Sequence, residues 1–172
     1  IGGAAEEDLK SVMQTTDGGF ICTGSSNSGI SGDKTEANIA GNDYWIVKTD
    51  SLGAIQWQNT IGGSDYEVLN SIAQTADGGY ILGGSSLSNI SGDKTENCIF
   101  QGFLDYWIVK TNSLGAIQWE NTIGGSGSDD LCSLAQTADG GYILGGFSNS
   151  NISVDKTENS HGSEDYWLVK TD

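Results

Sequence analysis

Short apolar blocks alternate with polar and glycine-rich blocks along the whole chain, and no segment carries the roughly 3.6-residue apolar spacing of a helix. Residues 61–122 show the grammar in full. Leu69 to Thr75 reads as a first strand of small, mildly apolar side chains, closed by Ala76-Asp77-Gly78-Gly79. That tetrapeptide is a hairpin signal, because glycine accepts the positive φ that tight turns require. Tyr80-Ile81-Leu82-Gly83-Gly84 follows as a second strand, and a polar stretch from Ser85 to Leu104 leads into a third, Tyr106 to Thr111. Asn112-Ser113-Leu114-Gly115 turns the chain into a fourth strand, Ala116 to Thr122, in which Ile117 and Trp119 alternate with Gln118 and Glu120. Unbroken apolar runs in the second and third strands predict cover on both sheet faces, whereas alternation in the fourth predicts a partly solvated strand. The small first strand suits a crowded place near an axis.

The same grammar returns at offsets of 60 to 62 residues, as from Ile1 to Ile61 and from Ile61 to Ile123. Asp43-Tyr44-Trp45 recurs at Asp105 and Asp165, and Ser31-Gly32-Asp33-Lys34-Thr35-Glu36 recurs from Ser91 and, as Ser-Val-Asp-Lys-Thr-Glu, from Ser153. The repeats run from 1 to 60, from 61 to 122 and from 123 to 172, the last ending after its third strand. A period of this size marks a repeat architecture whose units cannot bury their faces alone. Four antiparallel strands running from a crowded inside to a wet outside describe a propeller blade. The predicted fold is therefore all-β, with β-propeller-type repeats of four-stranded antiparallel blades, about three of them, in an incomplete ring. A β-solenoid is the competing repeat fold, but its coils are usually shorter and lack these hairpins. Closed propellers use about 4–8 blades. The chain, which starts at Ile1 with no signal peptide, is thus expected to be cropped from a longer array or to assemble with copies of itself, and both readings stand.

Composition narrows the partners. Lys and Arg together number 7, all of them Lys, against 23 acidic residues, for a formal charge of −16. Phosphate backbones are held by Lys and Arg, so nucleic acid and anionic membrane surfaces are poor partners, and hard divalent cations such as calcium are better ones. No apolar run approaches the ~20 residues of a membrane span, so no membrane insertion is expected. Cys22, Cys98 and Cys132 occupy non-equivalent repeat positions, which fits neither a disulfide framework nor a zinc site. Cys22 stands where the other repeats have Leu82 and Leu144, and reads as a small buried apolar residue.

Taken together, the strings T-x-D-G-G-[YF]-I, S-G-D-K-T-E and D-Y-W-[IL]-V-K-T-[DN]-S-L-G-A-I-Q-W-[QE]-N-T-I-G-G resemble the blade repeats of secreted Bacteroidota (Flavobacteria-type) β-propeller proteins. The resemblance covers essentially all 172 residues. Proteins of that kind commonly carry a C-terminal type IX secretion sorting domain. What the resemblance implies is an extracellular or cell-surface location and a role that is not tied to catalysis.

Candidate chemistry sits on the predicted long loops. The sets Asp33/Glu36/Asp43, Asp93/Glu96/Asp105 and Asp155/Glu158/Asp165 offer carboxylates to a structural calcium ion, whose flexible shell of about 6–8 oxygens loop carbonyls can complete. The alternative is that these residues cap turns and pair with Lys34, Lys94 and Lys156. Asp17, Asp77 and Asp139 look partly like the Asp-box turn of sialidase-type propellers, where the carboxylate accepts local N–H bonds. A sialidase reading fails because its carboxylate-binding arginines do not exist here. Lys48, Lys110 and Lys170 are expected to snorkel or to pair with a neighbouring carboxylate. The sole histidine, His161, has no repeat counterpart and no nucleophile-elbow motif beside it. The repeated Trp residues read as core, and no residue is assigned a catalytic role. The expectation is a non-catalytic extracellular scaffold or adhesion module, with a self-assembled filament as a variant. Its partners are copies of itself, further blades of a longer chain, or surface glycans. The alternative is a segment of a secreted carbohydrate-active enzyme using the acidic residues of the long-loop face.

Overall fold

The computed structural model describes all residues, 1–172. It is all-β and contains no helix. The eleven strands are β1 (Glu7–Gln14), β2 (Phe20–Ser26), β3 (Asp43–Thr49), β4 (Ile55–Ile61), β5 (Glu67–Gln74), β6 (Tyr80–Ser86), β7 (Asp105–Thr111), β8 (Ile117–Ile123), β9 (Asp129–Gln136), β10 (Tyr142–Ser148) and β11 (Asp165–Thr171). They form three antiparallel sheets in simple chain order, β1-β2-β3-β4, β5-β6-β7-β8 and β9-β10-β11. No sheet closes on itself.

Two differences from the sequence-predicted strands have physical causes. Each second strand runs on past its glycines, so that β6 ends at Ser86, and Ser85 and Ser86 are fully buried although polar. Their hydroxyls are bonded to carboxylates, which removes the cost of burying them. Each first strand starts earlier than its apolar residues suggest, at Glu67 in β5, because that carboxylate is itself buried and bonded.

The first strands share a β-bulge. Leu69 pairs with Gly84 and Ser71 with Gly83, so Asn70 is the extra residue, and the same irregularity falls between Leu9 and Ser11 in β1. In β10 the register shifts between Gly145 and Gly146, leaving Cys132 of β9 as the extra residue. A bulge resets the in–out alternation, which lets Leu69 and Ile72, three residues apart, enter one core.

That core lies between the first two sheets. Ile21, Tyr44, Ile46 and Ile61 from the first meet Leu69, Ile72, Leu82 and Trp107 from the second. A second core repeats it one sheet on, with Ile81, Tyr106, Ile108 and Ile123 against Leu131, Leu134, Tyr142 and Leu144. Each sheet therefore has a front face toward the sheet before it and a back face toward the sheet after it. β3, β6 and β7 are buried along their whole length. Cys22 lies on the front face of the first sheet, the counterpart of Leu82, and is only half-buried, so the expectation of a buried role is corrected: the buried thiol is Cys98. All three thiols are free.

Candidate functional site at the seams between sheets

The calcium candidates are dispersed by the fold. Asp33, Asp93 and Asp155 accept from the backbone N–H of Gly2, Gly62 and Gly124 at 3.1, 3.2 and 3.1 Å. Glu36 and Glu96 accept from the N–H of Thr60 and Thr122, both at 2.7 Å, and so hold the long loop on the fourth strand. Glu158 is exposed and stands beside no fourth strand. Asp43 and Asp105 turn inward and accept from Ile39 and Ile99, and Asp165 accepts from His161 at 2.6 Å. In the first two sets the three members thus serve three different backbone groups, and no group of three or more His, Cys, Asp or Glu side chains forms a metal-holding cluster. Nor do Lys34 and Lys94 ion-pair with these carboxylates. They are buried, bond to the hydroxyls of Thr60 and Thr122, and lie 5.4 and 5.3 Å from the ring centres of Trp45 and Trp107. Lys156 lies over Trp167 in the same way, at 5.6 Å.

The hairpin aspartates form a separate network. Lys48, Lys110 and Lys170 reach Asp17, Asp77 and Asp139 at 2.9, 2.9 and 3.1 Å. Asp77 also takes bonds from the Thr75 hydroxyl and the Gly79 N–H, and the hydroxyl, then Lys110, then the N–H bring its carboxyl down to about 2. The same three kinds of donor hold Asp17 well below the ordinary carboxylate range.

A third arrangement joins the sheets, and it is the one sequence reasoning missed. Glu67, at the start of β5, is fully buried and held by the Gly63 N–H at 2.9 Å and the Ser86 hydroxyl at 2.8 Å. Across the seam stands Asp43, at the start of β3 and also fully buried, facing the Glu67 carboxyl. Asp43 Oδ1 has no donor. Gly62 backs the pair so closely that a Cβ there would fall 1.9 Å from Asp43 Oδ1. In the second seam Asp105 and Asp129 play these parts, both fully buried, and the Oδ1 of each lacks a donor. Asp129 is held by the Gly125 N–H at 2.7 Å and the Ser150 hydroxyl at 3.0 Å. Burial, reinforced by the facing carboxylate, pushes Asp43 and Asp105 up to about 7. Two buried carboxyls facing each other do not both ionise cheaply, and the protonated Asp43 or Asp105 becomes a donor toward the facing carboxylate. Glu7 makes the contrast. Burial raises it, but the Ser28 hydroxyl, the Gly3 N–H and the Ser26 hydroxyl outweigh that, and with no carboxyl from a preceding sheet before it Glu7 falls below its ordinary value.

Other repeated contacts complete each seam. The phenol of Tyr44 donates to the Trp107 carbonyl and that of Tyr106 to the Trp167 carbonyl, both at 3.1 Å, with ring centres 4.9 and 5.0 Å apart. Ser25 and Ser85 accept from the N–H of Leu69 and Leu131 at 3.2 and 3.0 Å. The signal in the sequence was a polar residue repeated where the pattern is otherwise apolar: Gly-Gly-Ser followed three residues later by Glu or Asp, matched by the Ser-x-Ser after each second strand.

No protein-family model and no curated protein matches this chain.

Proposed function

We propose that this chain is a run of β-propeller-type blades acting as a non-catalytic scaffold or adhesion module, in the manner of the secreted Bacteroidota proteins that its repeats resemble. Each sheet is taken as a blade, with β1, β5 and β9 innermost. The packing supports this, since β5 touches all of β1, β2 and β3, and β9 touches β5, β6 and β7. Extracellular placement follows from the resemblance, and the acid-rich surface suits a molecule that stays soluble through net charge.

The observation that carries the non-catalytic reading is where the acidic side chains point. In the two full repeats every member of the acidic sets accepts a backbone N–H, the hairpin aspartates hold lysines, and the seam carboxyls are fully buried. A carbohydrate-active enzyme would need paired carboxyls on an open cleft, with room for a glycosidic bond between them. The two clefts, about 340 and 240 Å³, lie instead on the outer faces of the first and third sheets. The first is lined by Leu9, Cys22 and Trp45 with Glu7 and Asp8 at its edge, Glu7 held by Ser28, Ser26 and the Gly3 N–H and Asp8 by Lys10; the second is lined by Phe147, Tyr166, Leu168 and glycines and holds no carboxylate. The test is a hydrolysis panel of polysaccharides run beside a glycan array. We expect no turnover, with any glycan binding unaffected by Glu67→Gln. Turnover of any polysaccharide by the folded protein, absent from a heat-unfolded control, would overturn the proposal.

A further inference from the structure

The two outer faces of this chain repeat much of the two surfaces that meet in each internal seam, apart from the fourth strand that the third sheet lacks. On the back face of the third sheet, Tyr166 and Leu168 are 86% and 71% exposed, while their counterparts Tyr44, Tyr106, Ile46 and Ile108 are at most 1% exposed inside the seams. On the front face of the first sheet, Leu9 and Val12 are 63% and 59% exposed, while Leu69 and Leu131 are at 0% and Ile72 and Leu134 at 8% and 7%. The receiving groups are in place as well. Gly24 and Trp45 of the first sheet stand where Gly84 and Trp107 receive Tyr44, and where Gly146 and Trp167 receive Tyr106.

We infer that these faces dock on each other between copies, so that the third sheet of one chain packs its back face onto the front face of the first sheet of a second copy of this chain. Tyr166 then donates to the Trp45 carbonyl of the neighbouring copy, and Leu168 meets that copy's Leu9 and Val12. The contact is head-to-tail, so it yields a closed ring if the rotation per sheet closes and an open stack if it does not. Two copies bring six sheets, within the range of about 4–8 that closed propellers use. The inference rests on the repeat-scaffold reading above and names its partner.

Several positions depart from the internal seams. The third sheet has no fourth strand, so the counterparts of Ile61 and Ile123, and of Trp57 and Trp119 that pack on Tyr80 and Tyr142, are missing from its back face. On the front face Phe20 and Cys22 stand where the seams have Tyr80 and Leu82. Phe147 stands where Ser25 and Ser85 accept the N–H of the next sheet's leucine, and its ring lies 5.9 Å from that of Tyr166. The contact between copies therefore gains an aromatic ring at Phe147 but lacks the serine hydrogen bond and the fourth-strand packing of the seams within the chain. The formal charge of −16 also opposes it, so added salt favours it by screening.

The native thiols report on the arrangement, because Cys22 lines the cleft of the front face and Cys132 that of the back face, whereas Cys98 is buried. The experiment is light scattering over a range of protein concentration at low and high salt, with alkylation rates of Cys22 and Cys132 measured on the same samples. The expected result is a mass that rises above 18.0 kDa with concentration and salt, with Cys22 and Cys132 protected to equal extents. Tyr166→Ala, at an exposed residue that folding does not need, should weaken association on the order of tenfold, as truncating a central aromatic anchor does. Phe147→Ser restores the seam hydroxyl in place of the ring, and its association should still rise with concentration and salt, because Tyr166 and Leu168 remain. A monomer at every concentration and salt, in both the native chain and Phe147→Ser, would overturn the inference. Protection of one thiol without the other would also overturn it, because a symmetric face-to-face dimer or an unrelated partner buries only one face. None of these outcomes bears on turnover, which decides the scaffold reading separately.

Discussion

Tyr106 packs its ring on Trp167 and donates its phenol to that residue's carbonyl, so Tyr106→Phe keeps the packing and removes the donor from one half-buried acceptor. Loss of such a bond costs about 0.5–1.5 kcal/mol, measurable as a lower urea midpoint, whereas Tyr166→Phe should leave the midpoint of the monomer unchanged. Glycines sort in the same manner. A Cβ on Gly84 would fall 1.8 Å from the Val68 carbonyl oxygen and 2.7 Å from the Tyr44 hydroxyl. Gly84→Ala is therefore expected to abolish or severely weaken folding, while Gly29→Ala, with nothing within 4 Å, should be neutral by thermal melt. The hairpin residues were legible from sequence because Asp77-Gly78-Gly79 carries its whole explanation locally: φ of +82° at Gly78, and an aspartate that reaches the N–H two residues on. The pairing of Asp43 with Glu67 was not. Loop proximity grouped Asp43 with Asp33 and Glu36, but its real neighbour lies on another sheet and is brought near only by stacking. Cys22 was misjudged for the same reason, since its burial depends on a sheet that would have to lie in front of the first.

Each seam between sheets encloses a pair of facing buried carboxyls beside its apolar core, and this makes the joint sensitive to pH. Asp43 and Asp105 have folded values of about 7, above the ordinary 3.8, so the folded chain binds a proton that the unfolded chain releases. Their contribution is full below about pH 4, declines as pH rises toward 7, and is absent above that. A shift of this size corresponds to a few kcal/mol, on the order of 1.4 per unit. The hairpin carboxylates act in the opposite sense. Asp77, lowered to about 2, adds stability above about pH 4 that is lost as pH falls. Stability should therefore peak in mildly acidic solution. Asp105→Asn, whose amide is a donor at every pH, should flatten the decline between about pH 4 and 7 in denaturation curves, and an unaltered slope would remove the shared-proton account. Strand order and hairpin pairing were readable element by element, because each strand carries its own pattern three times over. The buried serines at the ends of β2 and β6 were not, since a hydroxyl reads as loop until its partner across the seam is known.

At the scale of the whole molecule, the acidic loops of the two full repeats turn their carboxylates to backbone N–H groups. A thermal melt should accordingly be the same with and without a calcium chelator, and a clear drop in Tm on chelation would return the Asp33/Glu36/Asp43 sets to a calcium role. A stack in which each sheet touches only its neighbours unfolds from its ends, because terminal units lose one interface. The middle sheet, with both faces covered, should be the last to open. Native-state hydrogen exchange, run dilute enough for the mass to remain 18.0 kDa, tests this most directly. The account predicts the slowest exchange in β6 and β7, intermediate rates in β2, β3 and β10, and the fastest in β1 and β11. Equal protection across all three sheets, or β1 and β11 as slow as β7, would contradict a stack joined by two seams.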